Sequence, residues 1–275
     1  FSGANFSPHG FNAQDPYKDY LDEVIAFVDD PAIVNSFKTK YDDVWVTTSG
    51  YTPYANLSGT RSRSYPVFPI DSRMNFVPYQ NFATRSIGQY NKETQRIDST
   101  MFRITDISHT NALIAAMNRG VPFRLITDTD EYRDPTRLWH AYNVDKLWLA
   151  TQQICPAACG VRMEAHLGGL HQKSTLLHGL GLVIFGSSNW TSPSARSQLE
   201  HNIFTTSASF FQYFDNQFER KWNNSNPLGA IETAPMVPKP PDAPVYVSPA
   251  NAAQGQSLSL TLRWNAGLWA HKYDV

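Results

Sequence analysis

Residues 23 to 45, EVIAFVDDPAIVNSFKTKYDDVW, align without a gap on residues 200 to 222, EHNIFTTSASFFQYFDNQFERKW. Glu23 falls on Glu200, Phe27 on Phe204, Phe37 on Phe214, Tyr41 on Phe218 and Trp45 on Trp222, at a constant offset of 177. In both copies a short apolar run follows the glutamate and reads as a strand. Aromatic residues then recur every three to four positions, the spacing of one helix face. A repeated strand and helix predict two similar lobes of one architecture. The opening FSGANFS also echoes FGSSNWT at Phe185 to Thr191. The first lobe is therefore expected here only as its tail, over 1–46. Residues 47–73 lose periodicity and gain Ser, Thr, Pro and Gly, which marks a connection, and the second lobe is expected over 74–224.

Within the second lobe, STMFRI, VPFRLITD and GVRMEAH read as strands, and DISHTNALIAAMNRG and HAYNVDKLWLATQQI as helices. Asp106 or Ser108 caps the first of these helices and Gly120 stops it. Strands alternating with helices predict an α/β layer structure, a mixed and mostly parallel sheet flanked by helices. The 23 Lys and Arg balance 24 Asp and Glu, so no global field attracts a polyanion. No run reaches the roughly 18 apolar residues of a membrane helix, so no membrane span is expected.

Six prolines between Pro227 and Pro244 predict an extended tether over 225–243. Beyond it, 244–275 contains the alternating SLSLTLRW, a strand signal. This segment resembles the start of a fibronectin type III or immunoglobulin-like sandwich, a fold of about 100 residues, so only part of a β-sandwich is expected. Such a sandwich would offer contact with a surface or polymer partner. Cys155 and Cys159 in CPAACG are close enough to bridge or to stay as thiols; a bridge would favour a secreted or periplasmic protein. With His166, His171 and His178 they match no compact zinc pattern.

The densest chemistry is HQKSTLLHGLGLVIFGSSNWTSP. In a strand, His171 and Lys173 share one face. A hairpin centred on Leu180, between Gly179 and Gly181, would set His171 opposite Asn189 and Lys173 opposite Ser187. A lysine supplies fixed charge for a phosphodiester, Ser and Asn supply neutral donors, and a histidine can attack phosphorus or protonate the leaving oxygen.

His-x-Lys followed by Gly-Ser-x-Asn, in lobes related by duplication, resembles the phospholipase D superfamily over about residues 1–46 and 74–224. The resemblance implies a metal-independent phosphodiesterase with a phosphohistidine intermediate, no cofactor, and two motifs meeting as a pseudo-dimer within the full-length chain. It makes His171 and Lys173 catalytic, and Ser187, Asn189, Asn5 and Gly3 phosphate-binding. Glu200 and Glu23 match the acid downstream of each motif that orients a histidine and holds it charged. The first motif's histidine is the usual nucleophile, which leaves His171 as general acid. The substrate would be nucleic acid or phospholipid. His178 stands where the family has Asp, which leaves two other readings open: a non-catalytic phosphate-recognition module, or a single-motif homodimer. Trp190 could stack on a leaving group or belong to the core.

Overall fold

A computed structural model describes residues 2–4, 15, 17–44 and 68–271. Asn5 and most of the 47–73 connection lie outside these residues. The second lobe is built on one eight-stranded sheet in the order β1-β7-β6-β5-β2-β3-β4-β8. Its strands are β1 (Met74–Val77), β2 (Ile97–Met101), β3 (Phe123–Thr127), β4 (Gly160–Glu164), β5 (Lys173–Leu177), β6 (Leu182–Gly186), β7 (Glu200–Thr205) and β8 (Thr233–Pro235). The sheet is mixed: β2, β3 and β4 run parallel, and the other neighbours pair antiparallel.

Helices cover both faces, which is why β2, β5 and β6 are buried at every residue; β6, LVIFG, is an apolar run, whereas β2, IDSTM, and β5, KSTLL, bury polar side chains as well. The helices are α1 (Pro31–Val44), α2 (Phe82–Tyr90), α3 (Ile107–Asn118), α4 (Thr129–Arg133), α5 (Leu138–Ile154), α6 (Ser192–Arg196) and α7 (Ala208–Asn223). On one face, Ile97, Leu125, Leu177 and Ile184 pack with Leu113, Leu147 and Trp190. On the other, Ile126, Leu176, Phe185 and Ile203 pack with Phe214 and Phe218. Asp106 caps α3 as expected, its carboxylate accepting from the Ser108 N–H at 2.9 Å.

The hairpin differs from its expected register. Leu177 pairs with Leu182 and Ser174 with Phe185, so four residues, His178 to Gly181, form the turn. A turn centred on Leu180 would place Lys173 opposite Ser187; the observed register shifts every partner by one.

The proline-rich stretch is also more than a tether. Thr233–Pro235 forms edge strand β8 against β4, and Met236 N–H donates to the Val161 carbonyl at 3.0 Å. Pro235 fits there because an edge strand can lack one donor. Trp269 returns to the core, only 5% exposed, its indole N–H reaching the Tyr132 carbonyl. Val245–Ser248 (β9) and Arg263–Asn265 (β10) form a separate antiparallel pair, and most of SLSLTLRW lies outside regular strands. Cys155 and Cys159 are bridged, closing the α5–β4 loop.

The two repeat copies share sequence but not packing. Phe204 is 6% exposed beneath Phe82 and Arg85, whereas its counterpart Phe27 is 93% exposed. The first copy lies across the β4–β5 loop, and a Cβ on Gly168 would come within 2.0 Å of the Tyr20 carbonyl oxygen. Only glycine permits that crossing. Gly168→Ala is expected to lower stability by about 1–3 kcal/mol, the cost of forced overpacking, read from the urea midpoint of unfolding.

Candidate active site

β5 begins at Lys173, and the loop from β4 ends with His171. That loop is stitched to the first repeat copy: the His171 N–H donates to the Asp22 carbonyl at 2.9 Å, and the Asp22 N–H to the Gly169 carbonyl at 3.0 Å. Glu23 consequently arrives beside the histidine, its carboxylate 2.8 Å from His171 Nδ1 and 3.5 Å from Lys173 Nζ. Lys173 and Glu23 side chains are only 2% and 5% exposed, while His171 keeps 18%.

Lys173 Nζ also lies 2.7 Å from His171 Nδ1 and donates to the His171 carbonyl. One ring nitrogen cannot donate to Glu23 and accept from Lys173 at once. The carboxylate makes the stronger, charge-assisted bond, so Nδ1–H belongs to Glu23 and Lys173 keeps the carboxylate and the carbonyl. Nε2 then has no protein partner among the described residues. Burial pulls Lys173 down to about 8, against the opposing pull of Glu23.

Gly3 closes this corner. A Cβ there would lie 2.9 Å from the Gly186 carbonyl oxygen, 3.0 Å from Glu23 Oε2 and 3.3 Å from Lys173 Cδ. Ser187 straddles the β6–β7 junction, accepting from the His201 N–H at 3.0 Å. Asn189 is partly buried, and its side-chain oxygen has no hydrogen-bond partner among the described residues. Glu200 accepts from Ser194 Oγ at 2.9 Å and has no imidazole partner among the described residues. Burial raises its carboxyl, against hydrogen bonds from Ser187 and Ser194 and the charges of Lys173 and His171. The acid that holds His171 is thus Glu23, contributed by the other repeat copy, and not Glu200 downstream of the same motif.

Residues absent from the sequence reading complete the wall. The Phe102 ring centre lies 4.7 Å from that of His171 and 5.3 Å from Lys173 Nζ. Arg103 forks onto Glu131 with contacts of 2.7 and 2.6 Å. The available signal was the aromatic and the cation within the strand candidate STMFRI. Trp190 is fully buried, stacked on His109 at 5.0 Å, which makes it core.

A family model described as cardiolipin synthase, PLD-like domain, matches residues 87–222. The mitochondrial cardiolipin hydrolase of Xenopus laevis is 27% identical over 134 residues, 48% of this chain and 56% of that protein. That of Chlamydomonas reinhardtii is 23% identical over 140 residues, 51% of this chain and 57% of its own length. Residues 87–222 are thus similar to the PLD-like domain of the phospholipase D superfamily. It spans about half the length of the curated relatives it matches. Among solved structures, the phospholipase D family member Nuc from Salmonella typhimurium is similar at 15% identity and TM-score 0.49, over 59% of this chain and 95% of that one.

His178, where the superfamily pattern has Asp, sits at the opposite end of β5 from Lys173. Its Nε2 lies 2.7 Å from Asp98 Oδ2, and Asp98 also receives Arg96 at 2.9 Å and Arg124 at 2.7 Å. Burial would raise Asp98, but the Arg124 and His178 hydrogen bonds outweigh it and hold the carboxyl low. Asp98, His178 and Asp215 are close enough to share a cation. The arginines already occupy the Asp98 oxygens, so the cluster fits an ion-pair network and not a metal site.

Where β4 runs into the loop that carries His171 lies a second buried pair, Glu164 at the strand end and His166, 3.6 Å apart. Burial lifts Glu164 to about 8, reinforced by Asp128, and burial lowers His166. A carboxyl with a raised folded-state value binds its proton more tightly when folded. Its stabilisation is complete below the ordinary value of 4.5 and is lost as pH rises to about 8. Glu164→Gln is therefore expected to match the wild-type melting temperature at pH 4, to exceed it increasingly above pH 5, and to hold a constant advantage above pH 8, with each unit worth about 1.4 kcal/mol. Thermal melts across that range test the sign.

Proposed function

We propose that this chain carries half of a metal-independent phosphodiesterase centre, with His171 as its general acid. The supporting observation is the His171–Glu23 contact at 2.8 Å, which commits Nδ1 to a buried carboxylate and leaves Nε2 for substrate. Lys173 supplies fixed positive charge to a nonbridging phosphate oxygen, and Ser187, Asn189, Gly3 and Asn5 supply the neutral contacts. In the first step an imidazole from a second His-x-Lys attacks phosphorus. The phosphorus–nitrogen bond forms, the bond to the leaving oxygen breaks, and His171 Nε2–H protonates that oxygen. In the second step water attacks phosphorus, His171 takes the water proton, and the phosphohistidine bond breaks.

Glu200 supports the need for a second imidazole. Its counterpart Glu23 holds His171, while Glu200 lies partly buried without a described histidine. HQK is the one His-x-Lys in the 275 residues. The second imidazole is supplied either by a paired lobe, as a pseudo-dimer, or by a second copy of this chain. The substrate class is a phosphodiester. The names of the curated relatives favour a phospholipid, while the balanced charge gives no support for strong polyanion binding. A recognition module without turnover is the second reading, favoured by the single His-x-Lys and by His178 in place of Asp.

The test is hydrolysis, in chelator, of a chromogenic phosphodiester, single-stranded DNA and cardiolipin vesicles, by the chain alone and by a form supplying the second motif. His171→Ala is expected to lose about 10²–10⁴-fold in kcat, the range for removing a general acid. The chain alone is expected to be inactive as a monomer. Loss of wild-type activity in chelator, or full activity of His171→Ala, would sink the mechanism.

A further inference from the structure

The buried stripe of α7 reads Phe214, Phe218, Lys221, with an ammonium group where the periodicity calls for an apolar side chain. Lys221 is 3% exposed at its side chain. Its Nζ lies 2.7 and 2.6 Å from the two oxygens of Asp22 and 2.8 Å from Gln172 Oε1. These partners come from segments about 150 residues apart in the chain, one beside each half of the His171–Glu23 contact. Asp22 precedes Glu23, and Gln172 lies between His171 and Lys173. Gln172 is anchored in turn, its amide donating to Ser174 Oγ at 2.7 Å.

A buried ion pair is a poor route to stability, because well-packed apolar side chains usually serve as well or better. Its best-attested use is to fix register between elements that could otherwise slip. We propose that Lys221 is the positioning residue for the His171–Glu23 contact. It ties the segment bearing the acid and the segment bearing the histidine to one point on a rigid helix. At the offset of 177, the first copy has Val44 in the equivalent place, so its sequence supplies no cation there.

The activity part of this inference rests on the proposed function; the geometric part does not. The test compares the wild-type chain with Lys221→Met, Lys221→Arg and the double variant Asp22→Asn/Lys221→Met, which removes both charges and leaves neither buried alone. The first readout is the His171 ring Nδ1–H resonance in proton–nitrogen NMR spectra, which is protected while Glu23 holds it. The double variant is expected to melt cooperatively yet lose that resonance, and Lys221→Arg to retain it. In the active assembly, kcat should fall by about 10²-fold, the cost of roughly 1 Å of misplacement, with KM within about twofold because binding is untouched. Retention of the resonance in the double variant, or its failure to fold, would overturn the proposal by showing the pair to be dispensable or merely structural. A wild-type protein that shows the resonance but cleaves no phosphodiester would defeat the proposed function and leave the positioning role decided by the spectra.

Discussion

A carboxylate withdrawn from water tolerates few neighbours, and the Glu23 side chain at 5% exposure dictates the rest of this centre. It needs cationic or donating partners within reach. Lys173 and His171 are those partners, and each gains from the arrangement. The lysine stays buried and cationic near neutral pH although burial pulls it down to about 8. The histidine is fixed by one nitrogen. With the imidazole neutral the three groups sum to zero charge; with it protonated they sum to plus one. Under the proposed function, a phosphodiester monoanion restores balance in the second state, so substrate and proton favour one another in the same place. Glu200, raised by burial, is the group whose ionisation would oppose this.

The opposite end of β5 is pinned by charges of a different kind. Asp98 gathers Arg96, Arg124 and His178, and Arg124 extends the network to Glu219 on α7. A five-residue strand held at both ends by polar contacts cannot slide relative to β2, whose register with β5 runs from Ile97 opposite Leu177 to Met101 opposite Lys173. An aspartate at 178 could serve the same end by pairing with the arginines directly. Here the acid stands on β2 and the histidine bridges to it, so the strand end keeps its anchor without the acid that the superfamily pattern places there.

His171 and Lys173 were legible because period two is a strong constraint once a strand is recognised, and the repeat was legible because an offset survives divergence. Hairpin register was not, since the glycines at 179 and 181 mark a turn without fixing whether two, three or four residues form it. The partner of each acid was not legible either. Alignment establishes that Glu23 and Glu200 are equivalent, but equivalence within a repeat says nothing about which histidine each faces across the interface. The proline-rich stretch misled for a related reason: proline forbids a central strand, not an edge one, and β8 sits at the edge. Lys221 carried a readable signal, a charge in an apolar stripe. Its partners, about 50 and 200 positions away in the chain, carried none.

The repeat therefore produces two copies that are alike in sequence and unlike in surroundings. Among the described residues Phe204 is covered by α2 and Phe27 stands open, Glu23 holds an imidazole and Glu200 holds none, and the sequence has Val44 where the second copy has Lys221. Under the proposed mechanism, attack on phosphorus and protonation of a leaving oxygen are different tasks that reward different environments. A histidine fixed through Nδ1 to a buried acid, with its loop tied to a rigid helix, is suited to delivering a proton along one direction. A nucleophile must instead approach phosphorus, bond to it and be released, and it benefits from a less confined setting. Under the proposed mechanism, the position beside Glu23 is the one suited to the proton.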